Sequence, residues 1–201
     1  MTVGAIAILI IFQPELRRVL EHLGRGKFFA KNELHEQEIE SMLNEIIVAV
    51  NELSKNKIGA IIALEQETGL NEFIETGVKI DAEISSGLFI NIFMPNTPLH
   101  DGAVIIRKNR IAAAGCFLPL TDNQNLSKQL GTRHRAGLGL TEISDSLVVI
   151  VSEETGIISF ARDGKLSRYL DLKSLKEILK NQYISKEFKH PVWPKWGGKN
   201  E

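Results

Sequence analysis

The segment Gly131-Thr132-Arg133-His134-Arg135 places two permanent cations and a titratable one side by side at the start of a stretch with helical character. If Thr132 caps that helix, all three fall on its first turn. There the peptide dipoles already concentrate positive charge, and Asp or Glu is the preferred occupant. A bound phosphate chain removes the conflict, because backbone amides, the Thr132 hydroxyl and the guanidinium forks of Arg133 and Arg135 converge on it. Exposed arginines are ordinarily solvated surface. A local rule broken without visible compensation is nevertheless where a functional site is sought.

Two further polar clusters interrupt apolar sequence. In Thr97-Pro98-Leu99-His100-Asp101-Gly102-Ala103, His100 and Asp101 offer a metal-ligand pair or a base with an orienting neighbour, and Gly102 and Ala103 leave room for a ligand to approach the backbone. The plainer alternative is a Pro-constrained turn in which Asp101 bonds nearby amides. In Ser152-Glu153-Glu154-Thr155-Gly156, adjacent carboxylates flanked by hydroxyls suit a hard divalent cation, although acidic turns between strands are common. Together the three clusters describe metal-dependent nucleotide chemistry. Neither GxxxxGK[ST] nor GxGxxG occurs, so the phosphate site is not a P-loop or a dinucleotide fingerprint.

The elements that must position these groups are legible from periodicity. Between Asn32 and Lys57, Ile39, Met42, Leu43, Ile46, Ile47, Val50 and Leu53 repeat at helical spacing, with Glu33, Glu36 and Glu38 near the start and Lys55 and Lys57 near the end. Ile58–Leu64 reads as a strand covered on both faces. A loop or short helix follows, then a short strand and a helix within "VKIDAEISSGLFINIF". From Asp101 the texture turns to β, with a hairpin at Lys108-Asn109 and three strands joined at Glu153–Gly156 and Asp163-Gly164. A helix from the cationic segment to Glu142 lies between them, and an amphipathic helix capped by Asp171 closes the pattern through Leu172, Leu175, Ile178, Leu179 and Tyr183. The expected fold is α/β with α+β character: one domain with a mixed, largely antiparallel central sheet flanked by helices.

Composition narrows the function further. The 201 residues are 43% hydrophobic, enough for a real core, and 24 Lys and Arg nearly balance 25 Asp and Glu. That balance, with 6% aromatics, speaks against a nucleic-acid partner and makes any anion site local. The lone Cys116, inside an apolar run, reads as a buried inert thiol. Val3–Phe12 is too short to span a bilayer and lacks the flanks of a signal peptide, leaving a buried segment or the last turns of a membrane helix followed by Arg17 and Arg18. The tail from Ser185, with both Trp residues, reads as loosely docked, with a partner or membrane contact as the alternative.

"PLHDGAVII" and "LGTRHRAG", with "IAAAGCFLPL" and "DSLVVIVSEETGIISFARDGKL", resemble the diadenylate cyclase (DAC) domain of the membrane-bound CdaA type, from about Leu34 to Leu179. The resemblance implies condensation of two ATP into cyclic di-AMP and two pyrophosphates, with divalent Mn, Mg or Co, at a head-to-head homodimer. It implies that Asp101 helps activate the ribose 3′-hydroxyl, with His100, Asp101 and Glu154 as metal ligands. Thr132, Arg133 and Arg135 would hold the triphosphate, the Leu118 backbone would touch adenine, and Gly102, Ala103 and Ser152 would line the pocket. Phe117 departs from the tyrosine expected there, and the glycine-rich "RHRAGLGLTE" is expected to loosen its helix. The resemblance also implies an organisation: residues 1–12 the stump of a third membrane helix, 13–33 a juxtamembrane helix or linker, 34–184 the catalytic domain and 185–201 a flexible tail. The full-length protein would sit in the cell membrane with its catalytic domain cytoplasmic, this chain being largely soluble. A CdaR-type regulator and the phosphoglucosamine mutase GlmM would be partners. The competing expectation is a regulatory module that binds ATP or a cyclic dinucleotide without catalysis.

Overall fold

The computed structural model describes residues 27–123 and 130–187, with side chains for 37–123 and 130–182. The expectations for Val3–Phe12 and for the Trp-containing tail lie outside the described residues. Two compact units divide at Glu38/Ile39, and the sheet belongs to the second. Among the described residues, no helix is long and apolar enough to cross a membrane.

Helix α1 (Lys27–Lys55) begins five residues before the expected Asn32. The residues after Gly26 contain no Pro or Gly, so nothing stops the helix from extending backwards to that point. Its buried stripe, Ile39, Met42, Leu43, Ile46, Ala49, Val50 and Leu53, follows the helical period. Strands β1 (Ala60–Leu64), β2 (Val78–Glu83), β3 (Ala103–Arg107) and β4 (Arg110–Cys116) are joined through short helices α2 (Asn71–Ile74) and α3 (Ser86–Phe93). Helix α4 (Thr132–Ile143), strands β5 (Leu147–Val151), β6 (Ile158–Arg162) and β7 (Lys165–Arg168), and helix α5 (Leu172–Glu187) complete the order.

The seven strands form one sheet in the order β2-β4-β3-β1-β5-β6-β7. Among the described strands only β1 and β3 pair in parallel, with Ile62 opposite Val104. The β3–β4 turn at Lys108 and Asn109 has φ of 47° and 58°, the left-handed pair that matches the sheet's twist. Side-chain alternation along β1 feeds two cores. Ala60, Ile62 and Leu64 face α1, α3 and α5, whereas Ile61 and Ala63 face the side of Leu140 and Ile74. The result is a sheet between two helical layers, as the alternation of elements implied.

Helix α5 starts as expected: the Asp171 carboxylate accepts the Ser174 amide at 2.7 Å. It is tied to α1 by Glu40, which pairs with Lys176 at 2.8 Å and Lys180 at 2.7 Å. Those two ammonium groups hold the Glu40 carboxyl down at about 2.

Candidate active site

Strand register brings the three polar clusters to one end of the sheet. The parallel strands β1 and β3 both begin there, so Gly59 and Asp101-Gly102 are neighbours in the plane of the sheet. The antiparallel strands β4 and β5 end there, delivering Phe117-Leu118 and Ser152–Glu154. Helix α4 begins over the same end. Its far terminus lies near the β6–β7 turn, where the Gly164 amide donates to the Thr141 carbonyl.

At the β3 entrance, Gly102 has φ of 146°, and a Cβ on it would lie 2.5 Å from the Gly115 carbonyl carbon. Only glycine lets the two strands close up there. Asp101 is exposed and makes no ion pair among the described residues. The half-buried His100 is oriented by Nδ1, which lies 2.5 Å from the Thr97 carbonyl oxygen. A carbonyl only accepts, so Nδ1 carries a proton, and in the neutral ring it is Nε2 that has the lone pair able to ligate.

At the end of β5, a tight turn presents Glu153 and Glu154 to solvent. The Ser152 amide donates to the Ile157 carbonyl, the Gly156 amide donates to the Ser152 carbonyl, and the Ser152 hydroxyl accepts the Thr155 amide at 3.4 Å. Ser54 of α1 pins the turn by donating to the Gly156 carbonyl at 2.6 Å. Among the described residues, no three His, Cys, Asp or Glu side chains form a group able to enclose a metal. Asp101 and Glu154 stand on opposite sides of β1, before the start of β3 and beyond the end of β5. Imidazole nitrogen and carboxylate oxygen are donor types that divalent cations take, and with so few gathered here a bound ion would need further ligands from substrate phosphates.

The cationic segment differs from expectation in two respects. The helix is capped by Gly131, with no side-chain cap bond, and Thr132 is its first residue. Glycine at the cap leaves that end open to a ligand. The three side chains also do not form one cationic cluster. His134 is buried at 4% exposure against β6, its Nε2 3.1 Å from the hydroxyl of the fully buried Ser159. Burial, with the nearby Arg168 charge, pushes its pKa down, so it is neutral core. The spacing His134, Leu138, Thr141 is a helix face, and that signal could have identified it.

Arg133 has a partner that sequence reasoning missed: its Nη1 lies 2.5 Å from Glu153 Oε2. Beneath the guanidinium is Gly59, where a Cβ would lie 2.6 Å from Nη1 and 2.8 Å from Cζ. The compensation for a cation at a helix N-terminus is thus present before any ligand. The half-buried Arg135 makes no ion pair among the described residues.

The glycines of α4 tighten rather than loosen it. A Cβ at Gly137 would lie 2.9 Å from Ile150 Cδ1, and one at Gly139 would run into the Pro119 carbonyl oxygen. The helix therefore packs directly on β5 and on the Phe117–Thr121 segment. That segment is fastened twice more: the Thr121 amide donates to the Arg135 carbonyl at 3.1 Å, and the Thr121 hydroxyl donates to Glu142 at 2.5 Å. Phe117 itself is 67% exposed, and Leu118 packs partly against the second core. Cys116 is buried, and desolvation lifts its thiol to about 11, so it is inert as expected.

Comparison with known proteins identifies the family. The DAC family, described as DisA bacterial checkpoint controller nucleotide-binding, matches residues 47–166. The chain is 52% identical over 183 residues to the cyclic di-AMP synthase CdaA of Bacillus subtilis, covering 90% of this chain and 67% of that protein. It is 49% identical over 204 residues to a diadenylate cyclase of Listeria monocytogenes, covering 100% and 75% respectively. A crystal structure of a double mutant of DacA from Staphylococcus aureus superposes with a TM-score of 0.70 at 49% identity, covering 72% of this chain and 96% of that one. Family match and relatives together show that the chain belongs to the DAC family of diadenylate cyclases.

Proposed function

We propose that the sheet end bounded by Asp101 and Arg133 is where this diadenylate cyclase condenses two ATP molecules into cyclic di-AMP and two pyrophosphates. The observation that carries the assignment is the convergence of the β3 entrance, the β5 exit and the α4 N-terminus at one sheet end. An exposed carboxylate, a free imidazole nitrogen and an uncapped helix start are thereby presented together.

Asp101 takes the proton from the 3′-hydroxyl of one ATP as that oxygen attacks the α-phosphorus of the other, and the bond to pyrophosphate breaks in line. Thr132, Arg133 and Arg135, with the first amides of α4, hold the triphosphate and meet the charge that grows on the leaving group. The backbone at Leu118 meets the adenine, while Gly102, Ala103 and Ser152 line the nucleotide. His100 Nε2, Asp101 and Glu154 would hold a divalent Mn, Mg or Co ion, which supplies Lewis-acid stabilisation of phosphate charge when bound. One such site binds one ATP, so two copies face each other in the active unit, and the reaction runs twice to close the ring. The same reading attaches the enzyme to the cell membrane, with this unit on the cytoplasmic side.

Incubation with ATP and Mn²⁺, followed by chromatography, should give cyclic di-AMP and pyrophosphate. Asp101→Asn should give none while its circular dichroism stays native. Normal turnover by that variant would refute the role given to Asp101. Binding without cyclic product, across metals and protein concentrations, would instead identify a regulatory module.

A further inference from the structure

We infer that Glu153 is a resident competitor for Arg133, setting how tightly phosphates are held and hastening the departure of pyrophosphate. The inference rests on the assignment of Arg133 to the phosphates. The Arg133 guanidinium is seated between the Gly59 backbone and the Glu153 carboxylate, 20% exposed, whereas Glu153 is 62% exposed. The carboxylate is not on a loose loop: the turn that carries it is closed by three hydrogen bonds and pinned to α1 through Ser54. The backbone that presents it is therefore held in place.

A phosphate chain arriving at the start of α4 meets a guanidinium whose Nη1 is already given to Glu153. Sharing the arginine with that carboxylate weakens the bound ground state. Weaker binding shortens the stay of a highly charged product in the site. Glu153 and Glu154 thus have separate tasks despite their adjacency: Glu154 faces the substrate-borne cation, and Glu153 keeps the arginine. When pyrophosphate leaves, the ion pair re-forms, so release of product and recovery of the resting site are one exchange.

The test is calorimetric binding of ATP and of pyrophosphate in the Asp101→Asn background, with Glu153→Gln and Arg133→Ala added singly and together. Glu153→Gln should tighten both ligands by about two- to fivefold, the range an ion pair with an exposed partner can withhold. In otherwise wild-type protein it should lower the KM for ATP and strengthen inhibition by pyrophosphate. With Arg133→Ala present, the same change should move affinity less than about twofold. Unchanged or weaker binding by Glu153→Gln, while Arg133→Ala weakens it, would overturn the competitor role and leave the phosphate site standing. A full effect of Glu153→Gln without Arg133 would show bulk charge repulsion and would also overturn it. No effect of Arg133→Ala on either ligand would sink both assignments.

Discussion

Replacing Gly59 with alanine separates the seat of Arg133 from the stability of the fold. Gly59 is buried at the start of β1, and its backbone is not in the left-handed region, so alanine meets no conformational strain. The added methyl would lie 2.6 Å from Arg133 Nη1, 2.8 Å from Cζ and 3.0 Å from Glu153 Cβ. To regain ordinary van der Waals separation the guanidinium must retreat by about 0.8 Å, and displacement on the order of 1 Å can cost a catalytic group about a hundredfold. What moves is mainly the flexible end of a side chain, so the loss of stability should stay within about 1 kcal/mol. The expected result is a ten- to hundredfold fall in the rate of cyclic di-AMP formation, about 1.4–2.7 kcal/mol of barrier, with a nearly unchanged urea midpoint. Quantified product against time, with urea titrations of the same preparations, decides the matter. Wild-type turnover by Gly59→Ala would refute the placement of Arg133 as a phosphate ligand, as would a loss of stability large enough to explain the loss of rate.

Two further predictions concern stability. His134→Ala leaves the fully buried Ser159 hydroxyl unpaired beside a void, so it should destabilise by about 2–4 kcal/mol and lower Tm in thermal unfolding. Because the folded pKa of His134 is lowered, its contribution is complete above the ordinary value of 6.5 and declines as pH falls below it, and the alanine variant should lose that slope. Glu40 is held at about 2 in the fold against 4.5 when free, so its pairing with Lys176 and Lys180 is fully present above pH 4.5 and fades as pH falls towards 2. Glu40→Gln should narrow the difference between urea midpoints at pH 7 and pH 3; an unchanged difference would refute the clamp.

The fold was legible because its signals are strong and local. Unbroken apolar runs marked β1 and β5, Lys108-Asn109 marked a hairpin, and Asp171 marked a helix start, each for a reason that acts within a few residues. The site was legible only as separate pieces. The resemblance to the DAC domain implied that Asp101 and Arg133 belong to one centre, and it is strand register that brings their segments to one sheet end. Two misreadings shared a cause. Arg133 looked uncompensated because its counter-ion, Glu153, is twenty residues away, and the glycines of α4 looked loosening because the groups they approach, Ile150 and Pro119, are not helical neighbours. Contacts across such separations leave no periodic trace. His134 was different: its place on the buried face was written in the helical period and was obscured by the charges on either side.

The close seating of Gly139 against Pro119, reinforced by both bonds of Thr121, has a bearing on ligand design. The segment proposed to meet the adenine and the helix proposed to meet the phosphates are held against each other by one close backbone approach and two hydrogen bonds. The distance between the two ends of the pocket is therefore set by the fold, so a ligand that spans both has to match that distance.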